Sequence, residues 1–436
     1  MVCVTKKEPR ASYSGFKRLI RYFVLRVNDN HWALCVYLRL SSHLRTKCRM
    51  TPAVTFAATA TTKLVNMVIT SFPEACATAA IIPKNFWRNK REGADDMYAK
   101  IRAVTSYLPA QIEHNSEIVD GRFMRKIGVE SRHIAAADES AGDMALAAAE
   151  KIFAQYDIDR QATDFILLCT QHPDYQMPHT AAHIQSRLGL GKGVGTMDIA
   201  LGCSGYVYGL AVAKGLIETG LARRVLFLTS SVYTKYINRR DTSVRPLFGD
   251  GSTATWIEAV DEDTPSLNAF VFGSDGSRFD RLIIPVGGSR HTPRETPEVF
   301  ATDDQNNFRS NYEVFMDGMA ITYFTLREVP QLVDDVLTAA NITRADLDYC
   351  IFHQANKFMM DFLREKAGLS SVPFHNDITT TGNIVSGSVP LAIEQVAKAH
   401  GAENLRRVML AGFGVGLSWA GCMADLSGLM TLKGAR

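Results

Sequence analysis

The sequence lacks the patterns that mark several large classes of protein. It has no run of about 18 or more uncharged apolar residues, which argues against a membrane-spanning helix. Its eight cysteines form no CxxC pair and no Cys/His spacing typical of zinc ligands, so a structural zinc site or a disulfide framework is not expected. GFGVGL at 412–417 lacks the third glycine of GxGxxG, and GKG at 191–193 has no Ser or Thr after its lysine. We therefore predict no metal, no nucleotide site and a reducing compartment.

Charge is distributed unevenly along the 436 residues, although the net charge is only +3. Residues 1–96 contain 16 Lys+Arg and 6 Asp+Glu, which leaves 32 basic and 39 acidic residues in the remainder. The basic segment is compatible with a targeting segment, with an arm for anionic lipid or nucleic acid, or with upstream sequence outside the native fold. We favour the third interpretation, because no clear periodicity precedes Met97 and the charge is not clustered. Neither nucleic acid nor a membrane is a predicted partner.

From Met97 onward, strand-like and helix-like segments alternate, which is typical of an α/β protein. Short continuous apolar runs such as FILLCT indicate buried strands. The clearest predicted elements are a helix at 140–156, strands at 165–170 and 198–201, a helix at 209–219 and a strand after Arg224.

Two segments of this pattern recur about 180 residues later. TDFILLCTQH at 163–172 resembles LDYCIFHQAN at 347–356. DIALGCSG and the helix and strand after it (198–231) resemble residues 377–414, and both begin with Asp-Ile running from a strand into a glycine-rich elbow. The repeat predicts two related halves, 97–262 and 263–436, whose equivalent elbows meet at one central site.

Cys203 lies in the first elbow, between glycines and at the expected start of a helix. The helix N-terminus should lower the pKa of the thiol, and its free N–H groups can stabilise an oxyanion. In the second half, Asn383 takes the place of Cys203, and His353 follows the strand at 349–352. Taken alone, Cys203 reads as a small buried residue and His353 as a structural one. Together, on equivalent elbows, they predict a catalytic site.

The motifs GCSGY, FGDGS, HQANK, GNIVSGSVP and GFGVGLSW resemble the beta-ketoacyl-acyl-carrier-protein synthase III family of thiolase-fold condensing enzymes. The resemblance runs from about Met97 to Leu426. It implies a duplicated α/β fold in which each half has a mixed five-stranded sheet, layered α-β-α-β-α. Thiolases have a second active cysteine and elongating synthases use two histidines, so Cys, His and Asn in this order favour the synthase III branch.

The resemblance also implies an acyltransferase that performs a decarboxylative Claisen condensation. Cys203 would hold an acyl group from acyl-CoA or acyl carrier protein, with the N–H groups of Cys203 and Val415 as the oxyanion hole. His353 and Asn383 would bind the thioester oxygen of malonyl-acyl carrier protein as CO2 leaves. A cytoplasmic homodimer without a cofactor, acting in fatty-acid initiation or a related pathway, is the expectation.

Substrate contacts follow from the same resemblance. Met177 (from a partner subunit), Phe248 and Phe413 would line the acyl pocket. The expected coenzyme A contacts depart from the family pattern: its Trp and Arg correspond to Arg122 and Lys126, and a second Arg corresponds to Thr242, with Arg245 nearby. A basic patch of Lys357, Arg364 and Lys366 would dock the acidic carrier protein, although a solvated helix face explains it equally well.

Other interpretations stay open. The chain could transfer an acyl group to an alcohol or amine, condense starter units in secondary metabolism, or serve as an inactive partner subunit. FGDGS at 248–252 reads mainly as a structural hairpin turn. The polar segment 286–311 could be an active-site flap, but we favour an inert surface insertion.

Overall fold

The computed structural model describes residues 19–28, 31–39 and 97–434, in two compact units, Met1–Asn89 and Lys90–Arg436. In the first unit, strands β1 (Leu19–Asn28) and β2 (His31–Arg39) form an antiparallel hairpin. The sequence of this segment shows no clear periodicity. LIRYFVLRVN and HWALCVYLR are rich in aromatic and branched residues, and this composition favours strands even without strict alternation. That residues 1–96 lie outside the native fold stays a prediction.

The first half of the second unit is built on a mixed five-stranded sheet, as the resemblance implied. Its strands lie in the order β3-β9-β8-β6-β7, with β6 parallel to both β7 and β8 and the other pairs antiparallel. The strands are β3 (Met97–Tyr107), β6 (Phe165–Cys169), β7 (Gly195–Ile199), β8 (Arg224–Ser231) and β9 (Gly251–Asp261). The strand predicted at 198–201 therefore begins and ends earlier than expected.

The second half repeats this order with four strands. The sheet runs β10 (Leu267–Ser274), β17 (Ser418–Ala424), β16 (Val408–Gly414) and β15 (Tyr349–Phe352), with only β15 and β16 parallel. The predicted fifth strand is reduced to one bridge between Cys350 and Phe374. Pro373 directly precedes Phe374 and has no N–H to donate, which limits pairing at this edge. The expected strand at Asp377 is likewise not formed.

Helices lie between the two sheets and outside them. The central helices α4 (Gly205–Glu218) and α7 (Ser388–His400) pack in one apolar cluster with strands of both sheets. Outer helices α2 (Ala141–Gln155) and α3 (Thr180–Arg187) cover the first sheet, and α5 (Gly318–Ala340) and α6 (Lys357–Lys366) cover the second. The layering α-β-α-β-α is confirmed. No helix in residues 97–434 is long and apolar enough to cross a bilayer.

Shorter elements complete the unit. A small antiparallel pair comprises β4 (Gln111–His114) and β5 (Ser131–Ile134), with the short helix α1 (Gly121–Ile127) between them. The Asp120 side chain caps α1 by accepting from the N–H groups of Arg122 and Phe123. Two further antiparallel pairs are β11 (Leu282–Ile283) with β14 (Phe315–Met316), and β12 (Phe300–Thr302) with β13 (Phe308–Ser310).

The polar segment 286–311 is tied to the loop after β8. Arg309 Nη1 lies 2.7 Å from a carboxylate oxygen of the buried Asp241, and Asn307 Oδ1 accepts from the Thr242 hydroxyl at 3.1 Å. Arg240 stacks on the Phe308 ring, 4.2 Å from its centroid. These contacts show that the segment is anchored to the body of the protein at its β12–β13 end.

Candidate active site

Cys203 lies in the turn between β7 and α4, where both halves of the fold meet. Its side chain is buried, and the backbone N–H groups of Val415 and of Cys203 itself favour the charged form of the sulfur. Burial raises the pKa of the thiol to about 12, and these two N–H groups oppose that rise only in part. The expectation of a lowered pKa is therefore not met in this closed arrangement, because desolvation outweighs the favourable helix terminus.

Glycines on β16 allow the second half to approach this turn closely. A Cβ atom on Gly414 would lie 2.7 Å from Cys203 Sγ, and one on Gly412 would lie 2.5 Å from the Cys203 carbonyl oxygen. No side chain could occupy either position without moving the turn. The glycines of GFGVGL thus serve close packing around the thiol.

His353 follows β15 and is held by α7. Nδ1 lies 2.8 Å from the Ser388 hydroxyl, which itself donates to the Val385 carbonyl at 2.8 Å. Burial lowers the pKa of His353 to about 4, so the ring is neutral at physiological pH. An edge-to-face contact with Phe413, with ring centroids 5.6 Å apart, fixes the other side of the imidazole.

Asn383 faces the same imidazole. Its Nδ2 lies 3.4 Å from His353 Nε2, while its Oδ1 accepts from the Val385 N–H at 2.8 Å. Because the amide oxygen is engaged, Nδ2 is the group turned toward the ring, and Nε2 is assigned as the acceptor. In this network the imidazole proton lies on Nδ1, pointing to Ser388.

The FGDGS motif holds Asn383 in place. Phe248 and Asn383 form a parallel bridge. The Asn383 N–H donates to the Leu247 carbonyl at 2.8 Å, and the Gly249 N–H donates to the Asn383 carbonyl at 3.1 Å. The motif runs into the start of β9 and pairs with Asn383 of the second half, so it is not a hairpin turn but does have a structural role.

The end of β16 links the two groups of residues. Phe413 contacts His353, Gly414 contacts Cys203, and the Val415 N–H lowers the pKa of the Cys203 thiol. Three successive residues of one segment thus touch the thiol and the His353–Asn383 pair. The structure therefore brings together all of the predicted catalytic residues and both predicted oxyanion donors.

The predicted acyl-pocket residues fall in different places. Phe248 stacks on Tyr233, with centroids 4.9 Å apart, and both belong to the apolar cluster that contains Cys203. Phe413 belongs instead to the cluster beneath α5 and α6. Met177 is 82% exposed in the loop before α3, away from the pocket of its own chain. Of the three predicted acyl-pocket residues, Phe248 alone lies in the apolar cluster that contains Cys203.

The candidate coenzyme A residues do not form one group of free cations. Arg122 and Lys126 are exposed on α1, and Lys126 Nζ lies 5.1 Å from the Phe358 ring centroid. Arg245 is committed elsewhere: Glu113 binds its guanidinium, and Nη1 donates to the Arg239 carbonyl at 2.8 Å. A role for Arg245 in binding the phosphates of coenzyme A would require breaking this ion pair.

The proposed docking residues also differ from one another. Lys357 and Lys366 are exposed on α6, with Lys357 paired to Asp361 at 2.5 Å. Arg364 donates to the backbone carbonyls of Leu369, Ser370 and Val372, at 3.2, 2.9 and 2.9 Å. It therefore closes the turn after α6, and a docking role for Arg364 is not supported.

Sequence patterns did not single out Ser388, Gln171 or Tyr233. Ser388 touches His353, and the Tyr233 hydroxyl donates to Gln171 Oε1 at 2.8 Å beside the nucleophile turn. Serine, glutamine and tyrosine carry no distinctive spacing here, so only the three-dimensional arrangement identifies them. Among residues 97–434, no group of three or more His, Cys, Asp or Glu side chains is placed to hold a metal ion.

Comparison with protein families gives two matches in chain order. Residues 197–276 match the family model of 3-oxoacyl-[acyl-carrier-protein (ACP)] synthase III, and residues 337–426 match the model of its C-terminal part. The first match includes Cys203, and the second includes His353, Asn383 and Val415.

Individual proteins show the same similarity over nearly their whole length. Beta-ketoacyl-[acyl-carrier-protein] synthase III of Lactococcus lactis subsp. lactis (strain IL1403) is 30% identical over 337 residues, which are 76% of this chain and 99% of the relative. A crystal structure of 3-oxoacyl-(acyl-carrier-protein) synthase III is 40% identical, with a TM-score of 0.72, covering 75% of this chain and 99% of that one. The corresponding synthase from Burkholderia xenovorans LB400 is 35% identical, with a TM-score of 0.69 and coverage of 77% and 96%.

Proposed function

Because the chain belongs to the beta-ketoacyl-[acyl-carrier-protein] synthase III family, we propose that Cys203 carries the acyl group that this condensing enzyme joins to a malonyl unit. The proposal rests on the end of β16. Through Phe413, Gly414 and Val415, this one segment places a thiol with two N–H donors next to an imidazole–amide pair.

In the first step, Cys203 Sγ attacks the carbonyl carbon of an acyl thioester. The new S–C bond replaces the bond to the leaving thiolate, which takes up the proton released by the Cys203 thiol. The N–H groups of Cys203 and Val415 bind the carbonyl oxygen as it becomes an oxyanion. Since both N–H groups lie close enough to the sulfur to lower its pKa, they support a site for the oxyanion beside the carbon that sulfur attacks.

In the second step, the carboxylate of the malonyl group leaves as CO2 and its bonding electrons form an enolate. An N–H of Asn383 donates to the enolate oxygen. For His353 to donate as well, its proton must lie on Nε2 instead of Nδ1. The Ser388 hydroxyl, which faces both the Val385 carbonyl and Nδ1, can turn its hydrogen to Nδ1 and stabilise that tautomer. The carbanion then attacks the acyl–Cys203 thioester, and the thiolate is released.

Separate measurements of the two steps test the assignment. Cys203→Ala should give no covalent acyl adduct by intact mass after exposure to an acyl thioester. Asn383→Ala should still form the adduct but release CO2 from malonyl-acyl carrier protein about 10²–10³-fold more slowly. Cys350→Ala, which removes another buried thiol with a raised pKa, serves as the matched control and should acylate normally.

Full condensation by Cys203→Ala would contradict the proposal. Acylation without any CO2 release by the unmodified enzyme would instead favour transfer to an alcohol or amine.

Partners, assembly and location belong to the same proposal. The family name supports acyl carrier protein and an acyl thioester as substrates, and no cofactor is required by the two steps above. Exposed Lys357 and Lys366 are the basic side chains available to an acidic carrier protein. We propose a homodimer in which the exposed Met177 enters the partner's pocket, and a cytoplasmic location.

A further inference from the structure

A cavity of about 230 Å³ adjoins the nucleophile turn. Its walls are apolar along residues 282–284 and at Val415, and polar on one side. Any Cβ on Gly202 would lie 2.4 Å from Val415 Cγ1 and 2.6 Å from Gln171 Oε1, so both side chains touch the residue before Cys203. A group entering this cavity is therefore within a few bonds of the sulfur.

The polar side of the cavity is formed by Gln171, His172 and Tyr233. The Tyr233 hydroxyl donates to Gln171 Oε1 at 2.8 Å and so fixes which end of the amide faces away from it. Within the described residues, no group accepts from Gln171 Nε2. The amide thus presents unused N–H donors beside the nucleophile turn.

His172 is 94% buried and is held between two tyrosines. Its ring stacks on Tyr236, with centroids 4.6 Å apart, and meets the Tyr233 ring edge-on at 4.8 Å. Neither ring nitrogen has a hydrogen-bond partner in the described part of the chain, and Nδ1 is fully shielded. A ligand in the cavity consequently meets Nε2. Burial lowers the pKa of His172 to about 4, which makes this a neutral group suited to a neutral ligand.

A purely hydrocarbon acyl chain would leave the polar groups of Gln171 and His172 unpaired, and unpaired buried polar groups cost free energy. A hydroxyl resolves this, because it both accepts and donates: its oxygen can accept from Gln171 Nε2 while it exchanges a second hydrogen bond with His172 Nε2. A carboxylate fits less well, since no cation lines the cavity to balance it.

We propose that the acyl group transferred to Cys203 is a short hydroxyacyl group, with its hydroxyl bound by Gln171 and His172. This inference rests on the proposed function of Cys203 and adds the substrate class. Gln171 and His172 are then specificity-determining residues, and Tyr233 positions Gln171.

The test compares 3-hydroxybutyryl-CoA, as both enantiomers, with butyryl-CoA, which lacks only the hydroxyl. The second-order rate of Cys203 acylation is measured by intact mass for each. We expect one enantiomer to react at least about tenfold faster than butyryl-CoA. Gln171→Leu and His172→Phe should each reduce this ratio toward one. Gln331→Leu, which replaces an exposed glutamine on α5, should keep the ratio unchanged.

The outcomes separate the two proposals. Equal acylation by hydroxybutyryl and butyryl thioesters would overturn the hydroxyacyl assignment and leave Cys203 as the nucleophile. Absence of acylation by every thioester, with a folded protein, would overturn both. If Gln171→Leu and His172→Phe slowed both substrates equally, the two side chains would be structural, and the assignment would again be wrong.

Discussion

Replacing Ser388 with alanine tests whether the imidazole of His353 depends on a positioned hydroxyl. Ser388 Oγ lies 2.8 Å from His353 Nδ1 and also accepts from the Gln354 N–H at 3.3 Å. Without it, the buried Nδ1 has lost its hydroxyl partner, and the Nε2–H tautomer has lost the group that would stabilise it. Leaving one buried polar group unsatisfied costs about 1–3 kcal/mol. If that cost falls on the decarboxylation step, the rate decreases by roughly 5- to 150-fold.

The assay follows CO2 release from malonyl-acyl carrier protein and, separately, acylation of Cys203 by intact mass. Ser388→Ala should slow CO2 release and spare acylation, because Ser388 contacts His353 and not the thiol. Ser230→Ala is the matched control: this equally buried serine lies on β8 of the first sheet and donates to the Ala141 carbonyl at 2.7 Å instead of to His353. It should lower thermal stability without changing CO2 release. An equal loss in acylation and decarboxylation for Ser388→Ala would refute the positioning role.

Three further predictions concern protons and charges. Because burial raises the pKa of Cys203 to about 12, acylation by a small thioester should accelerate about tenfold per pH unit until the enzyme unfolds, and a plateau near neutral pH would contradict this. Burial lowers the pKa of both His353 and His172 from 6.5 to about 4. Between these pH values the two histidines are therefore protonated in the unfolded chain but neutral in the folded one. The free energy of unfolding should therefore fall as pH drops from 6.5 toward 4, by up to ~3 kcal/mol per histidine, and denaturation of His172→Phe should show a shallower dependence. Lys366→Glu should raise the KM for malonyl-acyl carrier protein but not for a small malonyl thioester, whereas Arg364→Glu should lower the Tm, and the reverse pattern would contradict both assignments.

The repeat in the sequence predicted the duplicated fold, and together with the family motifs it indicated the residues that meet at the candidate active site. Strands β6 and β15 each end just before a polar loop, and α4 and α7 each follow a glycine-rich elbow. Such signals are local, because apolar runs and glycines act on their own backbone. The motifs around Cys203, His353 and Asn383 could therefore be recognised from the sequence alone.

Interactions between distant parts of the chain could not be recognised from the sequence in the same way. Arg245 pairs with Glu113, 132 residues earlier, and Arg364 donates to three carbonyls of the following turn. From the sequence, Arg245 and Arg364 looked like unpaired cations, because a sequence does not show which acceptor an arginine binds. The second sheet is likewise one strand short because of edge geometry at Pro373, which the repeat alone does not encode.

The pKa of Cys203 shows how the turn can be both inert and reactive. A helix N-terminus favours a thiolate, but in the closed site desolvation prevails and the sulfur stays protonated. In the proposed mechanism, the carbonyl oxygen of an arriving thioester accepts from the N–H groups of Cys203 and Val415, which then stabilise the developing oxyanion in the transition state. Until then, the buried and protonated thiol should react slowly with oxidants and alkylating reagents. The rate of Cys203 alkylation by a small reagent without a carbonyl should accordingly be far lower than acylation by a matched thioester.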